Sequence, residues 1–263
     1  MKPKLNLLLI IGLVCSLNVN AQFKWPNGAK AAVIFTYDDG LDCQLDVAVS
    51  QLNEFGFKGT FYCTGNSPSL YNRMEEWREI AANGHELGNH TLFHPCDGTQ
   101  FDWVKPEYDL NKYTIEQILT ELRTANTLLK AIDGKEERSF GFTCSNYVAG
   151  GVDFTDKVRN LFGAARCDGP IPETMLNYDI YKTPSWGVDS PTSEELIAYV
   201  EKAKEKGTIA VFMFHSVGGG YLNVGADEHR KLMEYIKENG DEFYCDSFLE
   251  VMKYIKQNQG DFN

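Results

Sequence analysis

The chain has 263 residues, 43% hydrophobic and 24% charged, enough for one sizeable core. Aspartate and glutamate outnumber lysine and arginine 37 to 25, a formal net charge of −12. Such a surface repels phosphate backbones, which argues against nucleic acid as a partner and favours neutral or cationic substrates.

Residues 1–21 read as a secretory signal peptide. Lys2 and Lys4 precede an apolar run over residues 5–17, and Val19-Asn20-Ala21 offers a small-residue cleavage site. The run is too short to span a bilayer comfortably, and Val14 before Cys15 does not suit a lipoprotein site. The expectation is export to the periplasm or beyond, with no further membrane contact. Loss of the two lysines would leave a mature net charge of about −14. Six cysteines remain after Cys15. A domain of this size needs no staples, yet exported proteins pair cysteines, and a Cys96–Cys144 bridge is the candidate. Cys63 and Cys245 lie in apolar runs and read as buried thiols.

From there strand and helix patterns alternate. Strands are predicted at 31–37, 59–63, 139–143, 163–166, 180–183 and 208–214. A helix at 42–55 stops at Gly56 and one at 71–83 stops at Gly84. Thr114 and Gln117 have capping-box spacing at the head of 114–132. A helix over 191–206 has Ser190 as its N-cap and Pro191 in its first turn. Helices at 227–239 and 247–257 complete the chain. This alternation implies a largely parallel sheet with outer helices, open or closed as a barrel. No linker divides residues 22–263, so they read as one domain. The long connection 94–113 carries Phe101, Trp103, Pro106 and Tyr108, an aromatic content that suits an ordered, functional loop.

Three places carry chemistry. The first strand ends in Asp38-Asp39-Gly40, where α/β folds gather ligands. His90 and His94 stand four apart; on a helical turn both imidazoles would face one way and chelate a divalent ion. A carboxylate added to that pair gives a metal site with open positions, the logic of a catalytic rather than structural zinc. The run at 208–214 ends in His215. Neighbours at a strand end point apart, so one aspartate can ligate while the other takes a proton from water. His215 would then protonate a leaving group. His85 reads as structural, and His229 as a surface residue heading a helix.

The TYDDG of residues 36–40, the HTLFH of 90–94 and the FMFH of 212–215 resemble, in order, three motifs of the polysaccharide deacetylases, carbohydrate esterase family 4. The resemblance covers residues from about 30 to 255. It implies an α/β fold of the distorted (β/α) barrel type and a divalent metal cofactor, zinc first. It also implies hydrolytic removal of acetyl groups from a carbohydrate substrate. Carried over, Asp38 resembles the general base and His215 the general acid, with Asp39, His90 and His94 as the metal triad. Tyr37, Trp186 and Cys144 are candidate substrate contacts. Two motifs depart from the pattern. The third, best matched by residues 140–146, lacks its arginine and proline, so Asp38 loses a partner that favours its charged form. The fourth reads Thr183-Pro184-Ser185-Trp186, with Ser185 where an acid is expected; Asp189 is offered as the substitute.

An O-acetylated polymer such as xylan and N-acetylated sugars of chitin or peptidoglycan type both fit. The alternatives are a non-catalytic sugar-binding protein that keeps the fold, and iron chemistry on the same His₂–carboxylate triad. The oligomeric state is open.

Overall fold

The computed structural model describes residues 23–259. The expected signal peptide lies outside the described residues. The first strand, β1 (Ala31–Asp38), is buried along its whole length. That is what the apolar run Ala31–Phe35 demands when both faces are covered. Its even positions Ala32 and Ile34 pack in one apolar cluster. Its odd positions Ala31, Val33, Phe35 and Tyr37 pack in another, with Leu52, Leu196 and Leu232 of the outer helices.

Parallel strands follow: β2 (Gly59–Cys63), β3 (Glu86–Asn89), β4 (Phe140–Gly141), β5 (Ala165–Asp168), β6 (Thr183–Gly187) and β7 (Ile209–Phe214). β7 pairs back onto β1 and closes a seven-stranded barrel. An eighth strand, β8 (Phe243–Cys245), pairs with β1 at Ala31–Val33, below the stretch Phe35–Asp38 where β2 pairs. The helices α1 (Val49–Phe55), α2 (Pro68–Asn72), α3 (Met74–Ala82), α4 (Ile115–Asp133), α5 (Thr155–Val158), α6 (Ser193–Lys206), α7 (Ala226–Glu238) and α8 (Phe248–Gln257) complete it. The expected barrel is thus the observed fold.

Several boundaries move. The helix expected over 71–83 breaks at Arg73 into α2 and α3. α6 is capped by Thr192 and Glu195 in a reciprocal capping box, so Ser190 and Pro191 precede the helix. The strand expected at 180–183 lies instead at β6, across Pro184; proline lacks the N–H a ladder asks for, which is why the pattern stopped short of it. β3 escaped the pattern because Glu86, Gly88 and Asn89 are poor strand formers. Gly88 is there for room: a Cβ would stand 2.4 Å from the Tyr62 ring.

Candidate active site

The barrel register brings the three motifs to one level. Asp38 pairs opposite Tyr62, Asn89 opposite Phe140, and Tyr37 opposite Phe214. Asp38, His90 and His215 therefore meet at the carboxyl ends of their strands. Asp38 ends β1 in the extended form; Asp39 then takes a left-handed φ of 76°. That turn swings the second carboxylate back over the same mouth, where an extended backbone would have pointed it away. Asp39 Oδ1 lies 3.7 Å from His90 Nε2 and 3.4 Å from His94 Nε2.

His90 and His94 are not on a helical turn. Residues 90–94 form a tight loop with left-handed φ at Thr91 (65°) and His94 (55°). The His94 amide donates to Thr91 Oγ1, and the Leu92 and Phe93 amides both donate to Glu121 Oε2 on α4. The loop places the two rings edge to face, 4.9 Å apart. Asp39, His90 and His94 each present one ligand atom within 4.8 Å of the others. Four ligands at zinc distances of about 2.0–2.1 Å stand roughly 3.3–3.4 Å apart, so the triad fits a divalent ion. His90 Nδ1 donates to Gly141 O at 2.7 Å, which leaves Nε2 as the lone pair. Burial, helped by the His94 and Arg166 charges, pushes the His90 pKa down to about 4, so the ring is neutral at pH 7, the form a metal ligand requires. Gly141 leaves little room: a Cβ would stand 3.0 Å from Arg166 Nη2 and 3.2 Å from His90 Nδ1, so one of them would have to give way.

The arginine missing from residues 140–146 is supplied by β5. Arg166 is fully buried, and its Nη2 donates to Asp38 Oδ2 at 2.5 Å. Its guanidinium carbon stands 4.9 Å above the Tyr62 ring. Burial works to raise the Asp38 pKa, but the charges of Arg166, His90 and His215 and the Arg166 hydrogen bond together hold it below the usual carboxylate value. Asp38 Oδ1 is buried and accepts no hydrogen bond from the protein.

No acid replaces the one absent from the fourth motif among the described residues. Ser185 donates to Cys167 O and accepts from Arg166, and Asp189 is exposed and bonded to Ser190. His215 Nε2 faces Asp39 Oδ2 at 4.0 Å, and its Nδ1 is buried with no hydrogen bond. The Gln44 side-chain amide, just beyond β1, donates to both Asp38 O and His215 O, at 2.6 and 3.0 Å. That bond ties the ends of β1 and β7 together.

The site opens into a cleft of about 1070 Å³. Cys144 lines it, joined to Cys96 in the bridge considered from sequence. The other two candidate contacts do not reach it. Tyr37 is fully buried on the helix-facing side of β1, where alternation must put a neighbour of Asp38; its hydroxyl bonds His229. Trp186 packs on Tyr199 and Phe212 and lines a separate hollow beside α6. His229 is buried rather than on the surface, and it donates from Nδ1 to Gln51. Residues that sequence reasoning missed are Arg166, Gln44, Glu121 and Tyr221, whose hydroxyl donates to Asp39. The nearest signal was the lone arginine in the run predicted at 163–166.

A sequence profile for polysaccharide deacetylases matches residues 26–157, half of the chain. Among curated proteins the chain is similar to a gellan lyase from a Bacillus species, 30% identical over 95 residues. It is also similar to a peptidoglycan-N-acetylglucosamine deacetylase from Bacillus cereus, 34% identical over 67 residues. These stretches take in 36% and 25% of this chain but 4% and 24% of those proteins. Among solved structures, a Mycobacterium smegmatis protein provisionally named a polysaccharide deacetylase superposes with a TM-score of 0.66 at 16% identity. It covers 90% of this chain and 94% of its own, a likeness of fold. The profile's span over half of the sequence settles the family: this chain is a member of the polysaccharide deacetylases.

Proposed function

We propose that the protein is a metal-dependent hydrolase that removes acetyl groups from carbohydrate, with zinc the first candidate ion. Asp38 carries the reading. One of its oxygens is fixed by Arg166, and the other is buried and free of partners beside the ligand triad. A carboxylate held in that way is poised to take a proton from an attacking water. Asp39, His90 and His94 would hold the ion, which when bound polarises an acyl carbonyl and acidifies water. His215, across Asp39 from the pair, is placed to protonate the departing alcohol or amine. Export, read from the signal peptide, belongs to the same proposal, since acetylated glycans of cell walls lie outside the cytoplasm. The sugar-binding alternative draws on a missing arginine and a missing acid; Arg166 at Asp38 removes the first support, while His215 Nδ1 keeps no acid beside it among the described residues.

The test is acetate release from acetylated xylan and from N-acetylglucosamine oligomers, with the protein stripped of metal and then reloaded with zinc. Zinc-dependent release from either class is the expected result and names the linkage. Full zinc occupancy without release from any member of the panel would overturn the reading.

A further inference from the structure

Four of the nine exposed large hydrophobic residues described, Phe93, Trp103, Tyr221 and Leu222, line the one cleft above the triad. Exposed apolar surface gathered at a concave site marks a binding face. Trp103 is 61% exposed, tilts over the His94 ring at 5.9 Å and is backed by Phe101 at 5.7 Å. Its loop is held in shape before any ligand arrives. The Cys96–Cys144 bridge fastens one end. Asp109 Oδ1 accepts from the Gly98 and Asn111 amides, and the Asp97 amide donates to Asn146 Oδ1. A wall fixed in this way spends little ordering entropy on binding. Facing it, Tyr221 is 52% exposed and follows three glycines in left-handed φ, Gly218–Gly220.

The charges of the lining have one sign. Asp38, Asp39 and Asp168 contribute, and no lysine or arginine does. Arg166 is spent beneath Asp38, and a divalent ion would more than offset Asp39 down at the triad, which leaves Asp168 at the rim with no cation of its own. A ligand carboxylate at the rim, away from the ion, would meet no lysine or arginine and one repelling anion, on a molecule already at −12 overall.

We infer that the cleft takes an uncharged glycan chain, one sugar ring laid on Trp103 opposite Tyr221, and that Asp168 discriminates against glycans bearing carboxylates near the acetyl group. The inference rests on the deacetylase reading for the identity of the reacting group, while its binding prediction stands apart from turnover. Calorimetric titration of the zinc-loaded Asp38→Asn protein, in which the ion offsets Asp39 and turnover is blocked, would use a β-1,4-linked N-acetylglucosamine hexamer and the same hexamer oxidised to carboxylates at C6. The neutral hexamer should bind at least about tenfold tighter. Trp103→Ala should weaken it roughly tenfold, Trp103→Phe should restore most of the loss, and Asp168→Lys should narrow the neutral-over-anionic ratio several-fold. Equal affinity for the two hexamers, or wild-type affinity in Trp103→Ala, would overturn the inference. Absence of acetate release with these affinities as expected would instead overturn the deacetylase reading and leave the cleft assignment standing.

Discussion

Asp38 is pulled two ways, by burial toward its neutral form and by Arg166 and two histidines toward its charged form, and the charges win. A carboxylate whose folded pKa is depressed adds stability above its unfolded pKa and loses it as pH falls through the folded value. Replacing Arg166 by methionine removes the main lowering charge, so the Asp38 pKa should rise and the acid limb of the kcat–pH profile should move to higher pH. An unmoved limb would show that Arg166 does not tune Asp38. Urea unfolding of the same variant should show a loss of roughly 3–5 kcal/mol, because the carboxylate left behind is buried and unpaired.

Gln44 belongs to a one-turn π-helix, Gln44–Ala48, that leads from β1 into α1, and from there it bonds the last carbonyl of β1 and the carbonyl of His215. Gln44→Ala should leave metal stoichiometry unchanged while lowering kcat roughly ten- to hundredfold, through loss of register between Asp38 and His215. Two buried carbonyls left unsatisfied should cost about 1–3 kcal/mol. Wild-type kcat in that variant would make the amide a purely structural brace. At this scale the elements announced by apolar periodicity and caps are readable: β1, β2, β7 and the Thr114–Gln117 capping box. The shape of the 90–94 loop is not, because it depends on Glu121, 28 and 29 residues further on, accepting two successive amides. The Asp38 partner was hidden for a related reason. The motif expects the arginine on one strand, and the guanidinium arrives from the next one, a fact of barrel geometry rather than of local sequence. Tyr37 and Trp186 lie away from the cleft because strand alternation turns the neighbours of Asp38 and Ser185 to the other face.

Taken whole, the molecule stores two neutral histidines that do not line the cleft. His85 accepts from the Gly59 amide and donates to Asn53, and burial lowers its pKa to about 4. His229 accepts from Tyr37 and donates to Gln51, and burial lowers its pKa to about 3. In the unfolded chain both protonate near pH 6.5, so stability is complete above that pH and declines as pH falls toward the folded values. Between pH 7 and pH 5 each should cost about 2 kcal/mol, read by urea unfolding at the two pH values. His229→Gln should flatten that slope by about one proton; an unaltered slope would mean that His229 is charged in the fold.

The closure of the barrel bears on how the chain reaches this state. The strand made first, β1, is paired by β2 only along its upper half; Ala32 must wait for Ile209, and Ala31 for Phe243. Contacts so far apart in sequence form late, after the longest loops have been closed. A chain emerging from its amino end therefore carries an apolar strand with unsatisfied edges until nearly all of it has been made. An open edge of that kind is one a chaperone can cover until the last strand arrives.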